Sequence, residues 1–198
     1  MGFSALRVIN EDRVAPGMGF GTHPHREMEI VTYVLEGSLQ HRDSMGNGAI
    51  VKAGDIQYMS AGTGVTHSEF NPSEQEGLHL LQIWIMPNQR GGEPRYGERN
   101  FTDEEKRGRW VMLVSPDGRD GSIAIRQDAS LFVTVLTAGD RLAYSLDPAR
   151  RAYLHVARGA AALNGQPLSA GDGVAVSDQS ELVLEVDEWG EVLLFDMP

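Results

Sequence analysis

The 198-residue sequence contains no cysteine. This absence excludes disulfide bonds, thiolate nucleophiles, and zinc or iron–sulfur sites with cysteine ligands, so any bound metal must be held by His, Asp or Glu. Basic residues are also scarce: the sequence has 17 Lys and Arg and 28 Asp and Glu, which gives a formal net charge of −11. A surface that binds phosphate backbones needs clustered positive charge, so we expect no direct binding to nucleic acid.

Leader segments and long apolar runs are absent as well. The segment "MGFSALRVIN" has no charged region followed by an apolar run and a small-residue cleavage site, so the sequence shows no secretory signal. The longest apolar run, "LHLLQIWIM", is much shorter than the roughly 18 residues that a membrane-spanning helix needs. We therefore expect a cytoplasmic protein that does not insert into membranes.

Short apolar runs are abundant, and each ends at Gly, Pro, Asn or Asp. Examples are "ALRVI", "IVTYVLEG", "AIVKAGD" and "IQYMS". Runs of this length at a spacing of roughly 8–12 residues predict an antiparallel β-sandwich or barrel. The segment "DSMGNG" has the residues of a hairpin tip. Helix signals are weak, and "TDEEKRGRW", with Thr102 as N-cap, predicts one short helix or a polar linker.

The chain also contains an internal repeat. The pattern of residues 33–87, a strand, a Gly turn, a strand, an "AGD" turn and an apolar strand that ends in Met-Pro, recurs in residues 154–198. This predicts two copies of one small β-barrel, within residues 1–108 and 109–198, with a polar linker at about residues 88–108.

Two histidine motifs carry the predicted chemistry. His23 and His25 lie in "GTHPHREMEI", and His67 and Glu69 lie in "TGVTHSEF". Along a strand, side chains at i and i+2 point to the same face, with Cα atoms roughly 6–7 Å apart. If the two faces meet inside a barrel, three imidazole nitrogens and one carboxylate oxygen converge. The second repeat contains neither motif.

A set of three histidines and one glutamate suits Fe(II), Mn, Co, Ni or Zn, and in octahedral geometry it leaves about two positions open for water, oxygen or substrate. Four protein ligands would instead close a tetrahedral zinc site. We therefore predict one catalytic divalent transition metal. Fe(II) is the first choice on chemistry and availability, and Mn, Co, Ni, Cu and Zn are the alternatives.

Three long motifs together carry a family resemblance. "GTHPHREMEIVTYVLEG", "AGDIQYMSAGTGVTHSEFNPS" and "LHLLQIWIMP" resemble the pirins of the cupin superfamily, most closely the bacterial pirin-like proteins with quercetin 2,3-dioxygenase activity. The resemblance covers residues 2–198 and implies an all-β bicupin of two jelly-roll barrels, of which the second is degenerate and holds no metal. The family carries a further segment ahead of the matched part, so we expect the first strand of the first barrel to be missing.

The resemblance also implies the metal ligands, which are His23, His25, His67 and Glu69. Most other cupins take the fourth ligand at the position that corresponds here to Glu29. We expect Glu69, because the pirin pattern uses it and because it lies two residues from His67 on the same predicted strand. Glu29 is then expected to support a ligand or to form a salt bridge.

By resemblance, the expected function is a metal-dependent dioxygenase that cleaves flavonols such as quercetin with O2 and releases CO. The flavonol would chelate the metal through its 3-hydroxyl and 4-carbonyl, with Glu69 as general base. The alternative hypothesis is a non-enzymatic, iron-binding and redox-sensing regulatory protein that acts through a protein partner, as eukaryotic pirins are described. A zinc isomerase or a structural cupin is a third reading.

Other residues receive smaller predictions. His41, His79 and His155 are expected to be packed or structural histidines and not ligands. Gln82 is a polar residue inside an apolar strand and is a candidate for contact with a metal ligand. Three apolar residues are expected in the core, with a pocket for an aromatic substrate as the alternative: Met59, Phe70 and Trp84.

Overall fold

The computed structural model of the protein describes residues 2–198. Backbone contacts divide the chain into two compact units. The first holds the chain up to Phe101 together with Ile125–Gln127, and the second holds Thr102–Ala124 and Asp128–Pro198. Both units consist mainly of antiparallel strands, so the prediction of an all-β chain is confirmed. The limits 1–108 and 109–198 remain predictions.

Among the described residues, the first unit has nine strands in two antiparallel sheets. They are β1 (Leu6–Val14), β2 (Gly19–His25), β3 (Glu29–Glu36), β4 (Ser38–Asp43), β5 (Gly48–Lys52), β6 (Asp55–Ser60), β7 (Val65–Phe70), β8 (Leu78–Ile85) and β9 (Arg95–Asn100). One sheet has the order β1-β8-β3-β6-β9 and the other has the order β2-β7-β4-β5. The hairpin predicted at "DSMGNG" joins β4 to β5, and β9 lies within the segment predicted as a linker.

The burial of two strands follows from their sequences. β3, "EIVTYVLE", is buried at every position but the last, because an apolar run lies in the middle of its sheet. β7, "VTHSEF", instead alternates, with Val65, His67 and Glu69 buried and Thr66 and Phe70 exposed. The same inward face that carries apolar packing therefore also carries the histidine and the carboxylate of the second motif. Two apolar clusters fill this unit: Val14, Val34, Leu39, Val51, Leu78 and Leu80, and Ile30, Met59, Ala61 and Val65.

The second unit is built around long antiparallel strands. Its elements are α1 (Asp103–Lys106), β10 (Val111–Ser115), β11 (Ile123–Ala124), β12 (Ser130–Thr137), β13 (Arg141–Ser145), β14 (Arg151–Leu163), β15 (Gln166–Ser169), β16 (Gly173–Val176), β17 (Glu181–Glu185) and β18 (Trp189–Met197), with a 3₁₀ turn at Arg119–Gly121. The strand order is β11-β10-β12-β18-β14-β17-β13, and β15 and β16 also pair with β14.

The short helix α1 begins where the sequence predicts it. The Thr102 side chain accepts a hydrogen bond from the Glu105 amide at 3.2 Å, and the Glu105 carboxylate accepts one from the Thr102 amide at 2.7 Å. This reciprocal pair is a capping box, which satisfies amides that a helix start leaves open. Across residues 2–198, the structure has no helix long and apolar enough to span a membrane.

The internal repeat is visible in the backbone hydrogen bonds of both units. In the first "AGD" turn the amide of Ala53 donates to the carbonyl of Gly37 at 3.1 Å, and in the second the amide of Ala170 donates to the carbonyl of Gly159 at 2.9 Å. Both glycines have positive φ, 78° and 73°. A Cβ on either would lie 2.4 or 2.3 Å from a backbone oxygen, so both positions require glycine. The two copies thus share a backbone frame although their side chains differ.

Candidate metal centre

The pairing of β2 with β7 brings three histidines together. His23 lies directly opposite His67 in the register, and His25 lies opposite Val65. The ring centroids are 4.5 Å apart for His23 and His67, 4.8 Å for His23 and His25, and 4.9 Å for His25 and His67. The donor atoms of these three rings all lie within 4.8 Å of one another. The structure therefore assembles the two predicted motifs on one strand pair.

A β-bulge in β2 shapes this arrangement. Phe20 pairs with Glu69 and His23 pairs with His67, so three steps along β2 match two steps along β7. The carbonyl oxygen of Gly21, inside the bulge, lies 2.8 Å from Nδ1 of His23. With Nδ1 donating its proton to this carbonyl, Nε2 keeps its lone pair, which is how metal-binding histidines are usually oriented.

The donor atoms fit a divalent transition metal. Nε2 of His23 and Nε2 of His67 are 3.0 Å apart. Two nitrogens that are each about 2.1 Å from one cation and at a right angle to each other would be about 3.0 Å apart. Nε2 of His25 is buried and has no hydrogen-bond partner within residues 2–198. A buried nitrogen without a partner is unfavourable, and a bound cation would satisfy it.

Glu69 lies beside this trio and is held by two amides. Gln57 donates to its Oε1 at 2.9 Å, and Gln82 donates to its Oε2 at 2.8 Å. Its Oε1 is 4.0 Å from Nδ1 of His67. The donor atoms of His41, His67 and Glu69 form a second set within 4.8 Å, so the carboxylate adjoins the trio through His67. The predicted contact of Gln82 with a ligand candidate is present.

Glu29, the other candidate for the fourth ligand, is occupied elsewhere. It is buried, and its carboxylate accepts hydrogen bonds from the hydroxyl of Tyr58, from the hydroxyl of Ser60 at 2.6 Å and from the backbone amide of Arg126 at 2.9 Å. Three donors on one carboxylate give it a structural role at the start of β3. Within residues 2–198 it belongs to neither of the two donor sets.

His41 packs beside the candidate metal centre. It is fully buried, its Nε2 lies 3.1 Å from Oδ2 of Asp43, and its ring stacks on Tyr96 at 4.8 Å. Its ring is 5.4 Å from that of His67, and it pairs with Glu69 across β4 and β7. The expectation of a packed histidine is confirmed, but the packing is against the site. The pairing of β4 with β7 brings His41 to this position, and a single histidine in the sequence gives no signal of that pairing.

Burial sets the protonation states of the site. It lowers the pKa of His67 to about 3, with further lowering by the neighbouring imidazoles, and it lowers the pKa of His25, with a smaller effect of His23. Neutral imidazoles offer the lone pairs that a metal requires. Burial also raises the pKa of Glu69, while the two glutamine amides act in the opposite direction.

Two cavities border the histidine trio. One, of about 410 Å³, is lined by His23, Glu69 and Gln82 together with residues of β1 and Phe20. The other, of about 580 Å³, is lined by His25 and by residues at the start of β7. Trp84, a candidate pocket residue, packs edge-on against His25 at 5.1 Å. Met59 is 1% exposed and is a core residue, as expected. The core expectation is wrong for Phe70, which is 38% exposed because it lies on the outward face of β7, opposite the face of His67 and Glu69.

The fold and the site define a cupin, and comparison with known proteins specifies the branch. The Pirin family matches residues 1–85, and the family described as Quercetinase C-terminal cupin domain matches residues 112–197. The chain belongs to the pirin family. The family resemblance and the bicupin fold predicted from the sequence are thereby confirmed.

The relatives are bacterial proteins. Over 198 residues the chain is 50% identical to a quercetin 2,3-dioxygenase of Escherichia coli K12, covering 100% of this chain and 84% of the relative. It is 40% identical to a pirin-like protein of Caulobacter vibrioides, covering 99% and 84%. The crystal structure of the E. coli bacterial pirin YhhW in complex with nickel(II) superposes with a TM-score of 0.95 at 48% identity, covering 100% and 84%. The predicted likeness to quercetin 2,3-dioxygenases is confirmed.

Proposed function

We propose that this protein is a metal-dependent dioxygenase that cleaves flavonols such as quercetin. The observation that carries the proposal is the convergence of three imidazoles beside a buried carboxylate, with His23 and Glu69 lining one cavity. The name of the E. coli relative at 50% identity supports the reaction class. The proposed ligands of one divalent metal are His23, His25, His67 and Glu69.

The donor set limits the class of metal that the site would bind. Three nitrogens and one carboxylate oxygen suit several divalent transition metals, and Fe(II) is the first candidate. The nickel(II) complex of the similar E. coli pirin supports a divalent transition metal and adds Ni(II) as an experimental probe. When bound, the cation would supply Lewis acidity that lowers the pKa of a chelating hydroxyl.

The side chains of the site would orient the flavonol and take its proton. A flavonol presents a 3-hydroxyl beside a 4-carbonyl, and the carboxylate of Glu69 is the group placed to accept the proton of that hydroxyl. The amides of Gln57 and Gln82 fix the carboxylate from two sides. Trp84 donates from its indole nitrogen to Gln82 at 3.1 Å and so fixes this glutamine in turn.

The proposed overall reaction consumes one flavonol and one O2. The bonds of the central ring on both sides of the hydroxyl-bearing carbon break, and that carbon leaves with its oxygen as CO. Both atoms of O2 enter the ring-opened ester. The chain's residues hold the substrate for this step, while the flavonol itself supplies the electrons that reduce O2.

The test is metal analysis joined to product analysis. Fe(II)-loaded and Ni(II)-loaded protein should bleach quercetin only in the presence of O2 and should release one CO per flavonol. His67→Ala should lose both stoichiometric metal and turnover, whereas His79→Ala, which removes a histidine paired with Glu11, should keep both. Retention of stoichiometric metal by His67→Ala, or quercetin loss without CO, would contradict the proposal.

The regulatory hypothesis predicts a different result in the same preparation. A redox-sensing partner protein would hold the metal without turning over any flavonol, and its capture of a protein partner would depend on that metal. Metal-loaded protein that consumes no O2 with quercetin would therefore favour regulation.

A further inference from the structure

The cavity beside His23 and Glu69 is also lined by residues that are not proposed metal ligands. It lies where β1, the edge strand of one sheet, faces β2, the edge strand of the other. Its volume of about 410 Å³ is within the roughly 300–1,000 Å³ typical of small-molecule sites. Phe20 on β2 and Asp12 on β1 line this cavity together with the site residues. Neither residue has a role in holding the metal.

Phe20 faces the cavity because of the bulge. In a regular strand, residues 20 and 23 would point to opposite faces, since side chains alternate. The extra residue in β2 restores them to one face, so that Phe20 lies opposite Glu69 while His23 lies opposite His67. Phe20 is 40% exposed as a residue and lines the cavity. It thus offers an apolar, planar surface next to the proposed metal ligands.

Asp12 reaches the same cavity from β1. It pairs with Leu80 of β8, and its neighbour on the same face, Asn10, pairs with Gln82. Leu80 packs in the core and Gln82 binds Glu69, so this face of β1 is turned toward the site. The side chain of Asp12 makes no hydrogen bond or ion pair within residues 2–198.

The adjacent acid of the cavity, Glu11, is already engaged. Its Oε1 lies 2.8 Å from Nε2 of His79 and 3.8 Å from the guanidinium of Arg13. Asp12 is therefore the carboxylate of this wall whose oxygens are free to accept hydrogen bonds from a ligand. A half-buried acceptor of this kind is suited to neutral hydroxyl donors and repels anions.

We propose that Phe20 and Asp12 recognise the hydroxylated aryl ring of a flavonol, with the ring packed on Phe20 and its neighbouring phenolic hydroxyls donating to Asp12. This assignment rests on the proposed function for the part of the substrate that meets the metal. Two adjacent hydroxyls match the two oxygens of one carboxylate, and an offset aromatic stack suits the exposed face of Phe20. The same carboxylate disfavours flavonols that carry a sulfonate on that ring.

The experiment measures binding without turnover. Ni(II)-loaded protein is titrated under anaerobic conditions with quercetin, with galangin, which lacks both hydroxyls of that ring, and with quercetin sulfonated on that ring. We expect quercetin to bind about tenfold more tightly than galangin, and the sulfonated compound to bind most weakly. Equal affinity for quercetin and galangin overturns the proposal.

Two variants test whether Asp12 and Phe20 cause the preference for quercetin over galangin. Asp12→Asn should reduce the preference for quercetin over galangin to less than about threefold and improve binding of the sulfonated flavonol. Phe20→Leu should weaken quercetin and galangin by a similar factor, about tenfold. The matched control for Asp12→Asn is Glu74→Gln, which removes an exposed acid. The matched control for Phe20→Leu is Phe70→Leu, which changes a comparably exposed phenylalanine on the outward face of β7. Both controls should bind the flavonols as the wild type does.

The outcomes separate this proposal from the proposed function. Binding with the expected preference but without O2 consumption upholds the recognition surface and contradicts the dioxygenase. Turnover of quercetin with an unchanged preference in Asp12→Asn contradicts the recognition surface alone. Circular dichroism checks the fold of each variant, and Asp12→Ser, which is uncharged and shorter, replaces Asp12→Asn if that variant is unfolded.

Discussion

Nε2 of Gln82 lies 2.8 Å from Oε2 of Glu69 and connects an apolar strand to the proposed metal centre. The opposite oxygen of the carboxylate accepts from Gln57 at 2.9 Å. Glu69 therefore cannot rotate without breaking a buried hydrogen bond. This restraint orients a carboxylate for a cation more firmly than burial alone would.

Loss of the Gln82 amide should weaken metal binding. Gln82→Leu leaves Oε2 of Glu69 without its donor, and we expect the dissociation constant for Ni(II), measured by isothermal titration, to rise about 10- to 100-fold. Gln40→Leu, a glutamine on β4 that pairs with Phe70 on the outward face, is the matched control and should bind Ni(II) as the wild type does. Unchanged affinity in a folded Gln82→Leu protein would show that the amide does not position the carboxylate.

The two candidate glutamates should respond oppositely to neutralisation. Glu69→Gln should lose most of its metal, because an amide oxygen is a much weaker ligand than a carboxylate. Glu29→Gln should keep its metal but lower the free energy of unfolding by about 1–3 kcal/mol, because three buried donors lose a charged acceptor. Metal content and urea denaturation of both variants check this, and the reverse pattern would make Glu29 the fourth ligand.

A buried ion cluster in the second unit should be sensitive to truncation. Glu191 is fully buried, with Lys106 at 3.7 Å and Arg158 at 2.5 Å. Glu191→Ala leaves a buried lysine without this carboxylate, and we expect a loss of about 3–5 kcal/mol in the free energy of unfolding. The control is Glu185→Ala, which breaks an exposed pair with Arg141 and should cost about 0–1 kcal/mol. Equal urea midpoints of the two variants would contradict this prediction.

The repeated glycine turn should tolerate no side chain. Gly159→Ala adds overpacking of about 1–3 kcal/mol against a backbone oxygen at 2.3 Å to the cost of a positive φ. Gly165→Ala, at a φ of 80° with open space around it, should show only the conformational cost of about 1–2 kcal/mol. Thermal denaturation of both variants separates the two effects, and a Gly159→Ala protein as stable as Gly165→Ala would exclude a steric role.

Local rules were sufficient to predict the all-β class and the strands of the site. Alternation along a strand predicts that His67 and Glu69 share a face, and the structure buries both on one side of β7. The hairpin at "DSMGNG" and the helix cap at Thr102 depend on equally local patterns, and the structure confirms both predictions. Each depends on neighbours within a few residues, which the sequence displays directly.

The remainder of the site depends on pairings between distant residues. The place of Phe20 follows from a bulge that appears only when β2 pairs with β7, and simple alternation would have turned it away from the histidines. His41 reaches the site because β4 pairs with β7 in one register. The engagement of Glu29 by Arg126 joins residues 97 positions apart. No local pattern encodes these contacts.

The three imidazoles of the candidate centre come from a single pair of strands. The register in which β2 pairs with β7 therefore sets their arrangement, and the lengths of the other hairpins in the unit do not affect it. An insertion or deletion in the turn between β4 and β5 would leave the donors in place, whereas one residue added between His23 and His25 would turn these two imidazoles to opposite faces. The candidate metal centre should therefore tolerate changes of loop length but not insertions or deletions within β2 or β7.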